Sequence, residues 1–189
     1  MPRTAQYSKS AIADRLETVF EKNGYEGASL KLLAEAAGLS KASLYHHFPG
    51  GKQEMAGQVL IGAGLAMQKF ILAPLARNAP AQARLQASLT GTAIYYGGSV
   101  PVCLMNSLLL GEGLTLFGAQ IARAVVVWRE GLEKAYAEVG ADRSEAEAWA
   151  AYAVERIQGA LVLCRVQQSR KPLETCLVEL SADVDMLAG

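Results

Sequence analysis

The sequence predicts an all-α chain of about nine helices: three short ones near the amino terminus, then a run of longer ones. Three observations carry this. Ala, Leu, Glu, Arg and Gln are abundant, and all favour helix. No window shows the strict apolar/polar alternation of a half-buried strand. The apolar stripes recur at helical spacing and are bounded by Ser, Gly and Pro at positions suited to helix starts and stops. At 189 residues and 51% hydrophobic, the chain is long enough to fill a real core without staples.

The first helix is expected from Ser8 or Ser10 to Asn23, since either serine can cap it. Ile12, Leu16, Val19 and Phe20 form its apolar stripe, and Gly24 is placed to end it. A second helix, Leu30–Ala36, follows its cap Ser29, and Ala37-Gly38-Leu39 turns the chain. The third starts at its cap Ser40 and ends near His47, where Pro49-Gly50-Gly51 stops it. One long helix is expected over Lys52–Ala73, ended by Pro74, then another over Ala81–Tyr96, stopped by Gly97-Gly98. Pro101 opens a short helix to Leu110; a long helix runs Thr115–Val139 and ends at Gly140. Ser144 caps a helix over Glu145–Ser169, and Pro172 starts the last, to Leu187.

The formal net charge is zero, from 18 Lys+Arg and 18 Asp+Glu. Residues 1–52 hold seven basic and five acidic side chains, net +2, and both histidines, so the remainder is net −2. This mild asymmetry suits a small nucleic-acid-binding head on a neutral body. Three widely spaced cysteines, Cys103, Cys164 and Cys176, without a CxxC pair, argue against a disulfide framework and for a reducing, cytoplasmic setting. The start of the chain has no apolar segment of the signal-peptide kind. Apolar runs such as Val59–Met67 fall short of the about 20 residues a membrane span needs, so no membrane association is expected.

The informative stretch is Ser29–Lys52. Small Ala34 permits close helix approach, and Gly38 four residues later supplies the positive φ for a sharp turn. Leu33, Leu39, Leu44 and Phe48 are positioned to hold two short helices against the first, and neither is long enough to persist undocked. The third helix would then expose Ser40, Lys41, Ser43, His46 and His47, with no acidic residue between Glu35 and Lys52. A helix that enters a major groove needs that: donors for base edges and phosphates, and nothing that repels phosphate.

The run from Leu33 to Phe48 (Leu-Ala-Glu-Ala-Ala-Gly-Leu-Ser-Lys-Ala-Ser-Leu-Tyr-His-His-Phe), with Lys52 close behind, resembles the signature of the TetR family of transcriptional regulators over about the first 55 residues. In the body, Pro101-Val102 after Gly97-Gly98 is similar to a Gly-Cys-Pro-Val-like run of one subgroup, with Ser99-Val100 preceding the proline here. The resemblance implies a DNA-binding domain at 1–51 and a ligand-binding and dimerisation domain at 52–189. It implies that Lys41, Ala42, Ser43 and His46 face base edges, while Ser29, Tyr45, His47 and Lys52 mainly hold phosphates. Ser40 belongs to the same DNA-facing set. A homodimer would then read a near-palindromic site in double-stranded DNA.

For a small-molecule effector, apolar or aromatic, the candidate lining is Met67, Phe70, Thr92, Tyr96, Cys103, Asn106, Phe117, Trp128, Trp149 and Tyr152, any of which can equally be core. Leu173, Leu177, Leu180, Val184 and Leu187 form a clean stripe that packs either inside one subunit or across a two-fold interface. Cys103 has no basic residue nearby in sequence to favour a thiolate. Adjacent His46 and His47 point about 100° apart on a helix and are poorly placed to chelate one metal. Pro49-Gly50-Gly51-Lys52 lacks the preceding strand, glycine and Ser/Thr of a phosphate loop. No catalytic carboxylate pair, nucleophile triad or metal cluster can be assembled, and no cofactor is expected. The rival readings are a helical enzyme with a vestigial head, and a nucleoid-type binder without a ligand.

Overall fold

The computed structural model describes residues 7–189, and every regular element among them is helical. We number the helices α1 (Lys9–Gly27), α2 (Leu30–Ala37), α3 (Lys41–His47), α4 (Gly51–Leu75), α5 (Ala81–Tyr95), α6 (Leu104–Leu108), α7 (Glu112–Val139), α8 (Arg143–Gln167) and α9 (Lys171–Ala188). The chain forms two compact units: the described residues through Gly64 together with Leu104–Ile121, and Leu65–Cys103 together with Ala122–Gly189. We call them head and body.

In the head, α1 buries Ile12, Leu16 and Phe20, as its stripe predicts. Gly24 breaks the helix without ending it: at φ 66°, ψ −172° it interrupts a helix that resumes to Gly27. The carbonyl of Ser107 lies 2.9 Å from where a Cβ on Gly24 would sit, so glycine is needed twice over. Here α6 packs against α1, and the Ser107 hydroxyl donates to the Glu21 carbonyl at 2.7 Å. Helix α7 starts three residues earlier than its sequence suggests. The Glu26 carboxylate accepts from the Glu112 amide at 2.7 Å, satisfying an orphan donor from far away in the chain.

In the body, α4 does not stop at Pro74. A proline ring crowds the carbonyl four residues before it, here that of Phe70. The helix absorbs this by widening into a π turn over Gln68–Leu72, with the Ala73 amide bonding back to the Gln68 carbonyl, and continues to Leu75. Helix α5 packs on this segment through one polar face. The Ser88 hydroxyl donates to the Ile71 carbonyl at 2.9 Å, and the Arg84 guanidinium to the Leu75 carbonyl at 3.0 Å. Gly91 sits so close to the Phe70 carbonyl that an added Cβ would lie 1.6 Å from it.

Helix α4 spans 25 residues and is apolar enough, by length and composition, to cross a membrane. This corrects the expectation that no stretch is long enough, because the helix runs on through the glycines and polar residues that divide its apolar runs. Of its apolar window, 39% is buried: Met55, Ala56, Val59, Leu60 and Ala63 lie in the head core, Met67, Ile71 and Leu75 in the body core.

Asp142, not Ser144, caps α8. Its carboxylate accepts from the Glu145 amide while the Glu145 carboxylate accepts from the Asp142 amide, a reciprocal capping box. On α9, Leu173, Leu180 and Val184 are at most 1% exposed within a single chain, and Leu177 and Leu187 are half-buried. The predicted stripe is therefore intramolecular core.

Candidate nucleic-acid interface

The three head helices start on serine caps. Ser8, Ser29 and Ser40 each accept, through Oγ, an amide three residues on, from Ala11, Leu32 and Ser43 at 3.1–3.3 Å. Between α2 and α3, Gly38 takes the left-handed conformation (φ 67°, ψ 32°). Its amide donates to the Glu35 carbonyl and that of Leu39 to Ala34, closing the end of α2 as a Schellman turn. Arg15 of α1 braces this turn, donating to the Ala37 carbonyl at 3.0 Å while its guanidinium lies over the Tyr7 ring. Leu33, Leu44 and Phe48 are fully buried and Leu39 half-buried, so the docking residues act as expected.

That docking decides what α3 shows to solvent. Lys41, Ala42, Tyr45 and His46 are exposed, Ser43 and His47 half-buried, and Ser29 and Ser40 exposed at the helix starts. The hydroxyls of Ser40 and Ser43 lie 2.9 Å apart, so Ser40 is occupied as a cap and partner to Ser43. The acidic groups of α1 cluster instead at Asp14, Glu17 and Glu21. Burial, then the charge of Glu17, pushes the Glu21 carboxyl up to about 7. The α3 face thus carries lysine, hydroxyl and imidazole groups with no carboxylate in its own segment.

Lys52 is half-buried, its ammonium 4.4 Å from the centre of the Tyr25 ring and 3.5 Å from the Glu26 carbonyl. It fastens the start of α4 to the end of α1. A second fastening has no counterpart among the sequence expectations. The Lys9 ammonium donates to the Glu54 carboxylate at 2.6 Å, and Glu54 accepts from the Gly50 amide, capping α4. Its hydrogen bond from Lys9 is the main cause that lowers the Glu54 pKa. The signal was present as an acid just past the Gly50-Gly51 break, where helix starts favour one. The His46 and His47 rings sit edge to face, and no cluster of three metal-ligating side chains occurs among the described residues.

The ten effector candidates scatter. Asn106 and Phe117 belong to the head, where Phe117 packs edge-on against Tyr25. Met67, Thr92 and Trp128 are buried in the body, and Phe70 is half-buried beneath the Lys69 ammonium. Two pairs meet. The Tyr96 hydroxyl lies 3.7 Å from the Cys103 sulfur and accepts from Gln158, and Trp149 packs edge-on against Tyr152. Burial raises the Tyr96 hydroxyl well above its ordinary pKa and likewise raises the Cys176 thiol. Sequence reasoning passed over the polar groups Arg84, Ser88 and Gln158, because buried polar residues leave no periodic trace. Tyr152 also borders an open groove of about 740 Å³ between α8 and α9, together with the Arg156–Glu179 ion pair.

Residues 7–59 match the family model of bacterial regulatory proteins of the tetR family, and residues 102–178 match that of the C-terminal domain of LmrA/YxaF-like transcriptional regulators. The HTH-type transcriptional regulator YxaF of Bacillus subtilis is 23% identical over 88% of this chain and 89% of its own. The crystal structure of a TetR transcriptional regulator from Legionella pneumophila superposes with a TM-score of 0.78 at 20% identity, covering 95% and 98% of the two chains. That of AibR, in complex with isovaleryl coenzyme A and operator DNA, superposes with 0.68 at 19%, covering 92% and 95%.

Proposed function

Because the chain belongs to the TetR family and is a DNA-binding transcriptional regulator rather than an enzyme, we propose that it is a homodimeric repressor. A small apolar or aromatic effector releases it from a near-palindromic operator. The observation that carries this reading is the exposed, acid-free face of α3, presented by a docked and capped helix-turn-helix.

Residues 1–51 serve as the DNA-binding domain and 52–189 as the ligand-binding and dimerisation domain of a cytoplasmic protein. Lys41, Ala42, Ser43 and His46 address base edges; Ser29, Ser40, Tyr45, His47 and Lys52 hold the backbone in register. Lys52, already fixed on Tyr25 and Glu26, would present a preplaced ammonium to a phosphate. Dimerisation draws on the apolar side chains that α8 and α9 leave exposed, Val162, Leu163, Val166, Val178 and Met186, at 48–73%. Those faces, and not the buried α9 stripe, are the ones free to meet a second copy. AibR was crystallised in complex with both isovaleryl coenzyme A and operator DNA, which supports placing both kinds of site on this fold. Here the effector acts only as far as it binds the DNA-free state more tightly than the DNA-bound one.

Selection from random double-stranded DNA at physiological salt tests the reading. One near-palindrome should be enriched. Lys41→Ala and Ser43→Ala should alter the preferred bases, each lost pairing being worth about 1–3 kcal/mol of discrimination. Lys52→Ala should weaken all sequences alike and lower the salt slope by about one. A folded protein that enriches no sequence would overturn the proposal.

A further inference from the structure

Among the described residues, Arg84 combines deep burial with an unmet hydrogen bond. It is 6% exposed, one nitrogen donates to the Leu75 carbonyl at 3.0 Å, and another to the Glu138 carboxylate. Its Nε is buried and has no partner. Buried donors are almost always satisfied, and a guanidinium N–H makes its strongest bond to an anionic oxygen.

A pocket of about 280 Å³ opens at this point in the body. Its walls are Leu72 and Leu75 of α4, Arg84 of α5, and Val127, Gly131 and Lys134 of α7. Gln68, from the start of the π turn, adds one amide. The lining holds two cations and no carboxylate. The one nearby acid shown on Arg84, Glu138, is already spent on another of its nitrogens. The rest of the wall is aliphatic. The volume is just below the about 300–1,000 Å³ usual for ligand sites, which limits the occupant to a single ring or a short chain.

We infer that this pocket binds a small monocarboxylate with an apolar body. One carboxylate oxygen accepts from Arg84 Nε, and the body lies against Leu72, Leu75 and Val127. The aliphatic walls disfavour a small hydrated anion, and the unmet donor disfavours a wholly apolar guest. Lys134, exposed on α7, adds attraction for the same charge. Leu72 lies in the π turn, a helical irregularity that often marks functional sites. The inference rests on the sensing role proposed above for its regulatory meaning and gives the effector a chemical class; the binding itself is independent of that role.

Calorimetry and backbone NMR shift mapping on the full-length protein test it, with benzoate and hexanoate against their neutral counterparts benzamide and hexanamide. At least one carboxylate should bind saturably and shift Val127 and Gly131, and its amide should bind about tenfold more weakly. Val127 is 49% exposed, so Val127→Trp can fill the pocket without disturbing the core, and should abolish binding. Lys134→Met should weaken it about threefold to tenfold. Arg84→Lys keeps the charge but removes Nε–H and should lose the preference for carboxylate over amide. If that variant unfolds, the Val127 and Lys134 variants still decide. Absence of binding by both carboxylates, equal binding of acid and amide, or an unchanged affinity in Val127→Trp would each overturn the proposal. Release of an operator by the bound carboxylate is read separately: binding without release leaves the site assigned and removes its effector role.

Discussion

Head and body are stabilised by hydrogen bonds of different reach. The serine caps of α1, α2 and α3 each span three residues. In the body, Arg170 donates to the carbonyls of Ala93, Tyr96 and Gly98, 72 to 77 residues away, closing the end of α5. Ser88 reaches back to Ile71, Arg84 to Leu75 and Glu138, and Gln86 across to Ser181 and Asp185. The head contains long-range ties as well, but its recognition turn is specified locally. The body is specified by side chains that satisfy carbonyls which a proline, a π turn or a helix end has set free. Damage to the head turn should therefore be graded and local, whereas damage to the body crossing should be cooperative.

The largest expected effect lies at the α4–α5 crossing. Gly91→Ala would place a methyl 1.6 Å from a backbone oxygen, which no rotamer can relieve, so the helices must part. Thermal unfolding should report a loss of about 3 kcal/mol or more. Gly64→Ala is the control: it is also within α4, and a Cβ there meets nothing within 4 Å. It should stabilise by about 0.5–1 kcal/mol, the usual gain of alanine over glycine in a helix. Equal effects at the two positions would refute the close crossing.

Arg170→Ala should come next, at about 2 kcal/mol, because three carbonyls at the end of α5 lose a charged donor together. Arg170→Lys should recover only part of this, since one ammonium does not reproduce the guanidinium fork. Full recovery by lysine would show that charge alone matters there.

These contrasts explain how much could be read in advance. Ser29, Gly38 and Ser40 announce their roles because the groups they satisfy lie within four residues, and the three head helices follow within a few residues of their expected bounds. Phe48 and Leu44 are core because the helix period says so. Nothing local announces that Arg84 is buried, that Gly91 touches Phe70, or that Pro74 bends α4 instead of ending it. The same limit applies to the effector candidates. Phe117 and Trp128 lie on one helix, but Phe117 packs in the head and Trp128 in the body, a division no helical wheel contains.

A third test belongs to the head and concerns pH. Glu21 has a folded pKa of about 7, raised above the ordinary carboxylate value by burial and by Glu17. The folded state therefore holds a proton that the unfolded chain releases at lower pH. The head should lose stability as pH rises from the ordinary carboxylate range through about 7, and change little from this group beyond it. Glu21→Gln should flatten that slope and stabilise the protein at pH 8 by about 1 kcal/mol, after allowing for partial solvent screening. Denaturant unfolding at several pH values checks this, and an unchanged slope would place Glu21 in solvent.

The smallest expected difference separates two candidate caps of α8. Asp142→Ala removes both arms of a reciprocal box and should cost about 1 kcal/mol. Ser144→Ala lies one residue inside the helix, where alanine is the better former, and should be neutral to within about 0.5 kcal/mol. The pair of variants isolates one rule in the otherwise long-range body: this end of α8 is local, as the head caps are, and the true cap lies two residues before the expected one because two capping residues compete there. Glu145 resolves the competition. It stands three residues after Asp142, where its carboxylate can reach back to the Asp142 amide, and immediately after Ser144, where the same reach is impossible. A larger loss from Ser144→Ala than from Asp142→Ala would move the start of α8 and dissolve the box.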